Sequence, residues 1–316
     1  MEIVIAVAVL TIGIVLMTYS SDKAVEHSVK IASALRISPL VIGLILVSIG
    51  TDLPEIVNSI ISCAIGHADI ELGDSLGSVL TQMTLVIGLL PFLAGKFKVK
   101  RKEVLAIGAF EVLALILAVS IAEKGYFTRI NALFLVASWP VFILLTRSIT
   151  AKNAKKKDYE MAYSNESPPH HLRDWIIAIL GFVGIAIGAY AVIQSVIKLS
   201  AVFHISEYIV SFFVVAIGTS LPELVVELIA LRKKQYELAI GDAIGSCLVD
   251  ATVSVGIGQL FFPQAVSGEL ALITGLYAIF GSIVVILTLA LRKKVDRKAG
   301  ALFIFVYLLS YTLLRV

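Results

Sequence analysis

The chain has 316 residues, of which 59% are hydrophobic and 16% charged, with a formal net charge of +3. Soluble domains are ~45–50% apolar, and here apolar runs near the length of a bilayer crossing recur from end to end. Composition therefore excludes a soluble domain of useful size, and the period-2 alternation of a membrane β-barrel is also missing.

In chain order the apolar runs predict ten transmembrane helices, over roughly 2–20, 37–65, 72–94, 104–122, 129–146, 174–195, 205–231, 237–261, 269–291 and 300–314. The first has no basic residues before it and no small-residue cleavage site, so it reads as a retained helix and not a signal peptide. Cys63 and Cys247 fall in apolar spans and read as small buried hydrophobes. The stretch 147–173 is charged, contains Ser, Asn and Pro, and lacks apolar periodicity, which makes it a linker. Five spans lie on each side, giving a first repeat at 1–146 and a second at 174–316. An odd number of spans per half places the halves in opposite orientations.

With ten spans, five connections fall on one side of the membrane. They carry 22 of the 26 basic residues, including Lys96–Lys102, Lys155–Lys157, Arg232–Lys234 and Arg292–Lys298. Cytoplasmic loops hold the Lys/Arg excess, so the linker is predicted inside and both termini outside. Anionic lipid headgroups could also meet these patches, but setting orientation accounts for them.

Two stretches 168 residues apart share one pattern, Gly50-Thr51-Asp52-Leu53-Pro54-Glu55 and Gly218-Thr219-Ser220-Leu221-Pro222-Glu223. A second pair follows at the same offset, Gly73-Asp74 to Gly77-Ser78 and Gly241-Asp242 to Gly245-Ser246. Ile37-Ser38 and Lys30 have counterparts at Ile205-Ser206 and Lys198. Proline lacks an N–H and clashes with the carbonyl four residues back, so each pattern breaks a helix at membrane depth. The freed carbonyls of 48–51 and 216–219 then need partners where no bulk water is available, and a cation at the negative end of the preceding half-helix is one. Glu55 and Glu223 open the next half-helices. With hydroxyls and carbonyls they make an all-oxygen donor set, suited to calcium or sodium and not to zinc or copper. Asp52-x-x-Glu55 and Ser220-x-x-Glu223 also fit capping boxes, which need no ligand. A bare acid at mid-membrane is costly, so the ligand reading is preferred for the glutamates. Ser78 and Gln82 share one helical face, as do Ser246 and Asp250. Asp74 and Asp242, nearer the span ends, read as terminal or gating residues.

These residues resemble the cation/calcium exchanger superfamily, and within it the prokaryotic sodium/calcium exchangers. The resemblance covers nearly the whole chain and rests on the doubled G-T-[SD]-L-P-E and G-D-x-x-G-S motifs. It implies an all-α membrane protein of ten transmembrane helices in two inverted five-helix repeats, with broken helices at the ion site. It implies as cation ligands Glu55, Glu223, Thr51, Thr219, Ser78, Ser246 and Asp250, with Ser220 and the carbonyls of Ser48 and Ala216 lining flanking sodium sites. It also implies that the first and sixth helices slide across a rigid core to alternate access. Three positions depart from the family pattern: Asp52 replaces a serine, Gln82 an asparagine and Ser48 an alanine. The extra carboxylate of Asp52 bears on which ion is coupled. The expected function is a plasma-membrane antiporter moving calcium against sodium, with no cofactor, no nucleic acid and no obligatory protein partner. Proton or potassium coupling is the alternative within the family. A cation channel or an intramembrane aspartyl protease built on Asp74 and Asp242 fits the doubled breaks less well.

Overall fold

The computed structural model describes residues 2–34, 48–150, 171–232, 234 and 236–315. Expectations for Ile37, Ser38 and the body of the linker lie outside them. The described chain is almost wholly helical. In the first half, α1 spans Glu2–Ala34, α2 Ser48–Thr51, α3 Leu53–Ala64, α4 Ala68–Leu80, α5 Ile87–Leu93, α6 Arg101–Ala122 and α7 Arg129–Thr150. In the second half, α8 spans His171–Phe203, α9 Glu207–Val210, α10 Ala216–Thr219, α11 Leu221–Arg232, α12 Tyr236–Val249, α13 Val255–Phe261, α14 Gly268–Arg292 and α15 Arg297–Ser310. Among the described residues seven helical stretches are long and apolar enough to cross a membrane. Leu53–Ala64 and Arg129–Leu145 are apolar but shorter, and α15 has 14 residues. Exposed Ile12, Leu144, Leu180 and Leu291 belong to an apolar outer surface, as lipid contact requires.

Two helices are much longer than the sequence expectation. Helix α1 runs to Ala34 and not to residue 20, and α8 covers 171–203 and not 174–195. Hydropathy ends where polar residues begin, but these helices continue because they pack together along their length. A Cβ added at Gly181 would come within 2.8–2.9 Å of Ala24, and Gly13 and Gly188 face each other across the same crossing. Small residues let two membrane helices approach this closely. Beyond the crossing, His27 Nδ1 sits 2.7 Å from Asp174 Oδ1, so polar side chains continue the contact. The linker is correspondingly shorter, since 147–150 and 171–173 are helical.

Connections meet in two places. A two-residue strand, β1 (Phe97–Lys98), pairs antiparallel with β2 (Lys294–Val295). This ties together the basic segments 96–102 and 292–298. At the far end of α6, Tyr126 bridges to Ala265, and Phe127 N donates to the Gln264 carbonyl at 3.1 Å. One end of the molecule thus gathers two lysine- and arginine-rich turns, and the other gathers turns that carry few.

Candidate cation site

Both proline-containing helices break over a single residue. Asp52 separates α2 from α3, with Pro54 in the first turn of α3, and Ser220 separates α10 from α11. Proline is tolerated there because a first-turn N–H has no partner to lose. Two carbonyls at the breaks find partners inside the protein, beside the cation expected there. Ser21 Oγ of α1 donates to the Gly50 carbonyl at 2.9 Å. The Ala216 carbonyl accepts from Ser220 N at 3.2 Å and from Ser220 Oγ at 2.7 Å. The capping-box reading is also corrected, because the Asp52 side chain makes no capping bond.

The partner helices contain π turns, at Thr81–Val86 and Asp250–Ser254, that end at corresponding places in the two halves. A π turn adds a residue to the helical ladder and re-aims the side chains on it. Gln82 and Asp250, 168 residues apart, meet across the molecule: Gln82 Nε2 donates to Asp250 Oδ2 at 3.1 Å. The amide oxygen of Gln82 accepts from Cys247 Sγ at 3.2 Å, so this cysteine is more than filler. Ser254 Oγ donates to Asp250 Oδ1 at 3.2 Å.

A second link joins α10 to α4. Thr219 Oγ1 lies 3.3 Å from Ser78 Oγ and donates to Asp74 Oδ1 at 3.0 Å. Asn58 Nδ2 donates to Asp74 Oδ2 at 2.6 Å. Asp74 is therefore part of the central network and not a peripheral gate, and Asn58 joins the site without having been expected from sequence. Its position carries a signal nonetheless: Asn58 follows Glu55 by three residues, one turn along the same face.

Glu55 and Glu223 are buried, with 1% and 0% of their surface exposed, and none of their four carboxylate oxygens has a hydrogen-bond partner. Glu55 lies within electrostatic reach of Glu223, Asp250, Asp74 and Asp52. Ser246 sits beside Asp52, and Thr51 is buried with its hydroxyl unpartnered. Of the positions expected from sequence, Asp52, Glu55, Thr219, Ser220, Glu223, Ser78, Gln82, Ser246 and Asp250 thus fall in one buried zone between the two breaks and the two π turns. Among the described residues no three Asp, Glu, His or Cys side chains converge as a ready-made metal cluster, so the donors are mixed carboxylate, hydroxyl and amide groups.

Charge balance shows what this zone can do. Asp52, Glu55, Glu71, Asp74, Glu111, Glu223, Glu227 and Asp250 are buried, while no lysine or arginine is buried among the described residues. An uncompensated buried carboxylate costs several kcal/mol, roughly, even after relaxation. The compensating positive charge must come from outside the chain, as cations or protons, and an all-oxygen donor set selects hard cations.

Comparison with known proteins agrees. The model of the sodium/calcium exchanger protein family matches residues 5–147 and again 174–316. The sodium/calcium exchanger MaX1 of Methanosarcina acetivorans is 24% identical, over 95% of each chain. Among solved structures, the sodium-calcium exchanger NCX_Mj superposes with a TM-score of 0.62 at 26% identity, covering 98% of both chains. An H+/Ca2+ exchanger superposes with a TM-score of 0.73 at 14% identity, covering 97% of this chain and 82% of that one, which is likeness of fold. The chain belongs to the sodium/calcium exchanger protein family of membrane antiporters.

Proposed function

We propose that the protein exchanges calcium for sodium across the plasma membrane, with Glu55 and Glu223 holding the calcium ion. The observation that carries this reading is the pair of buried, unpartnered glutamates at repeat-related breaks, in a zone without buried lysine or arginine. Thr51, Ser78, Thr219, Ser246 and Asp250 complete the donor set, and Ser220, Gln82 and Asp52 border it. The carbonyls of Ser48 and Ala216 are weaker candidates for the flanking sodium sites, since Ala216 already accepts two hydrogen bonds. Ten spans in two inverted repeats fit the doubled family match and the 168-residue correspondence of breaks and π turns. Calcium entering the site replaces its water with carboxylate and hydroxyl oxygens, and sodium ions compete for the same oxygens. Alternating access follows if α1 and α8, joined by small residues along their crossing, slide as one unit over the broken helices.

The decisive experiment is calcium flux into proteoliposomes under a sodium gradient, repeated with a proton gradient. Flux driven by sodium and not by protons is expected. Asp52 is what favours the second reading, proton coupling, because it adds a carboxylate where the second repeat has Ser220. Calcium flux that follows the proton gradient alone would establish it.

The orientation proposed is cytoplasmic for the β1–β2 end and extracellular for both termini. Its support is that β1 and β2 join two basic connections at one end. In a background without Cys63 and Cys247, a cysteine at exposed position 96 should label only from the cytoplasm and one at position 124 only from outside. The reverse pattern would overturn the orientation.

A further inference from the structure

We propose that Glu227 and Asp242 form a second cation station, one helical turn from Glu223, where calcium rests between the central site and the 232–236 turn. The proposal rests on the exchange reading above.

Helices α11 and α12 run antiparallel on either side of that turn and pack against each other. Counting toward it, Thr219 and Asp250, then Glu223 and Ser246, then Glu227 and Asp242 stand at matching distances, each step four residues or about 6 Å. The first two levels belong to the central zone. The third is its continuation toward the turn.

Burial supplies the independent observation. Glu227 is 0% exposed, and neither of its carboxylate oxygens has a hydrogen-bond partner. Asp242 Oδ2 is likewise unpartnered, and Asp242 and Glu223 both lie within electrostatic reach of Glu227. Asp242 is itself only partly buried, which places it at the mouth and Glu227 inside. The corresponding positions of the first repeat are Ser59 and Asp74, and both are satisfied. Ser59 Oγ donates to the Ser254 carbonyl at 2.6 Å, and Asp74 accepts from Asn58 and Thr219. A buried acid kept for structure would be partnered in the same way. Two carboxylates with free oxygens in line with the site are instead what a hard cation needs when it leaves water in stages.

Half-saturating calcium can be measured from each membrane face, in inside-out and right-side-out vesicles. Glu227→Gln and Asp242→Asn are each expected to raise it about tenfold from the face of the 232–236 turn, since ligand charge count sets calcium affinity. From the opposite face it should change by less than about twofold. An equal change from both faces, or none from either, would overturn the station. Monodisperse elution in detergent controls for folding, and the partly exposed Asp242→Asn carries the test if Glu227→Gln does not fold. Failure of the exchange reading would show separately, as a wild-type protein with no sodium-driven calcium flux.

Discussion

The two halves of the chain share their breaks and central glutamates but differ in the polar groups around them and in how these are satisfied. In the first half Asp74 is bound by Asn58 and Thr219, Glu71 by Ser75, and the Gly50 carbonyl by Ser21 of α1. In the second half the Ala216 carbonyl is bound by its own neighbour Ser220, while Glu227 and one oxygen of Asp242 have no partner. Glu55 and Glu223 are alike in both, buried and unpartnered. The shared features, two proline breaks and two π turns, build the zone between the halves. The unshared ones decide which approach to it offers free oxygens. A transporter with identical approaches would have no structural reason to treat its two faces differently, and this chain has one.

The shared glutamates should give the largest effect. Glu55→Gln or Glu223→Gln keeps the shape of the side chain and removes one charge and one bidentate ligand. Either variant is expected to lower calcium flux by about a hundredfold or more, the order expected when a buried charge partner costs several kcal/mol. Wild-type flux in either well-folded variant would break the equivalence of the two halves at their centre.

Packing between the halves comes next. A Cβ on Gly77 would collide with the Phe212 carbonyl and approach the Ala216 Cβ to 2.8 Å, and one on Gly73 would collide with the Tyr208 carbonyl. Gly77→Ala is expected to destabilise the protein by about 1–3 kcal/mol through overpacking, read as a lower melting temperature in detergent. An unchanged melting temperature would mean that α4 and the segment 207–219 are not held at this separation.

How much of this is legible in the sequence depends on which physical signal each feature leaves. The proline breaks, the glutamates and the donors on α4 and α12 can be read, because a charge or a proline inside an apolar run is too costly to stand there without a role. The ends of α1 and α8 cannot, since a polar helix that continues by packing on a partner leaves no hydropathy signal. The π turns at Thr81 and Asp250 leave no residue signature either; their local residues are ordinary helix residues. Asp74 departs from its expected place because nearness to a span end is not nearness to water: Asn58 and Thr219 reach it from two other helices. Glu227 follows Glu223 by four residues, so helical periodicity alone is enough to place it on the same face.

A smaller effect is expected from the pair that distinguishes the first approach. Asn58→Ala leaves one oxygen of buried Asp74 without its donor, at a cost of about 1–3 kcal/mol. Asp74→Asn removes the charge, and the double variant should be more stable than the sum of the two single changes predicts, by about 0.5–3 kcal/mol. Chemical unfolding of the four proteins measures this coupling. Additivity would mean that Asn58 and Asp74 are neighbours without being partners.

The smallest change tests the one difference inside the motif itself. Asp52 stands where the second repeat has Ser220, is 0% exposed, and makes no capping bond to α3. It lies within electrostatic reach of Asp250, Glu223 and Asp242, next to Ser246, so its charge acts on the second repeat's donors as much as on its own. Neither of its carboxyl oxygens has a hydrogen-bond partner, so it does not close onto the carbonyl four residues back as Ser220 does onto Ala216. Asp52→Ser would allow that back-bond at residue 48 and make the two breaks chemically equivalent. It also removes a negative charge from the zone proposed to hold the cations. Folding should therefore be unimpaired, because a serine replaces a buried acid that serves no cap. Half-saturating sodium for calcium exchange should rise about two- to fivefold, a modest effect consistent with a charge that borders the site without being one of its two central ligands. Superimposable sodium curves for wild type and Asp52→Ser would show that the two breaks already act as equals, and that the acid in the first motif has no part in ion binding.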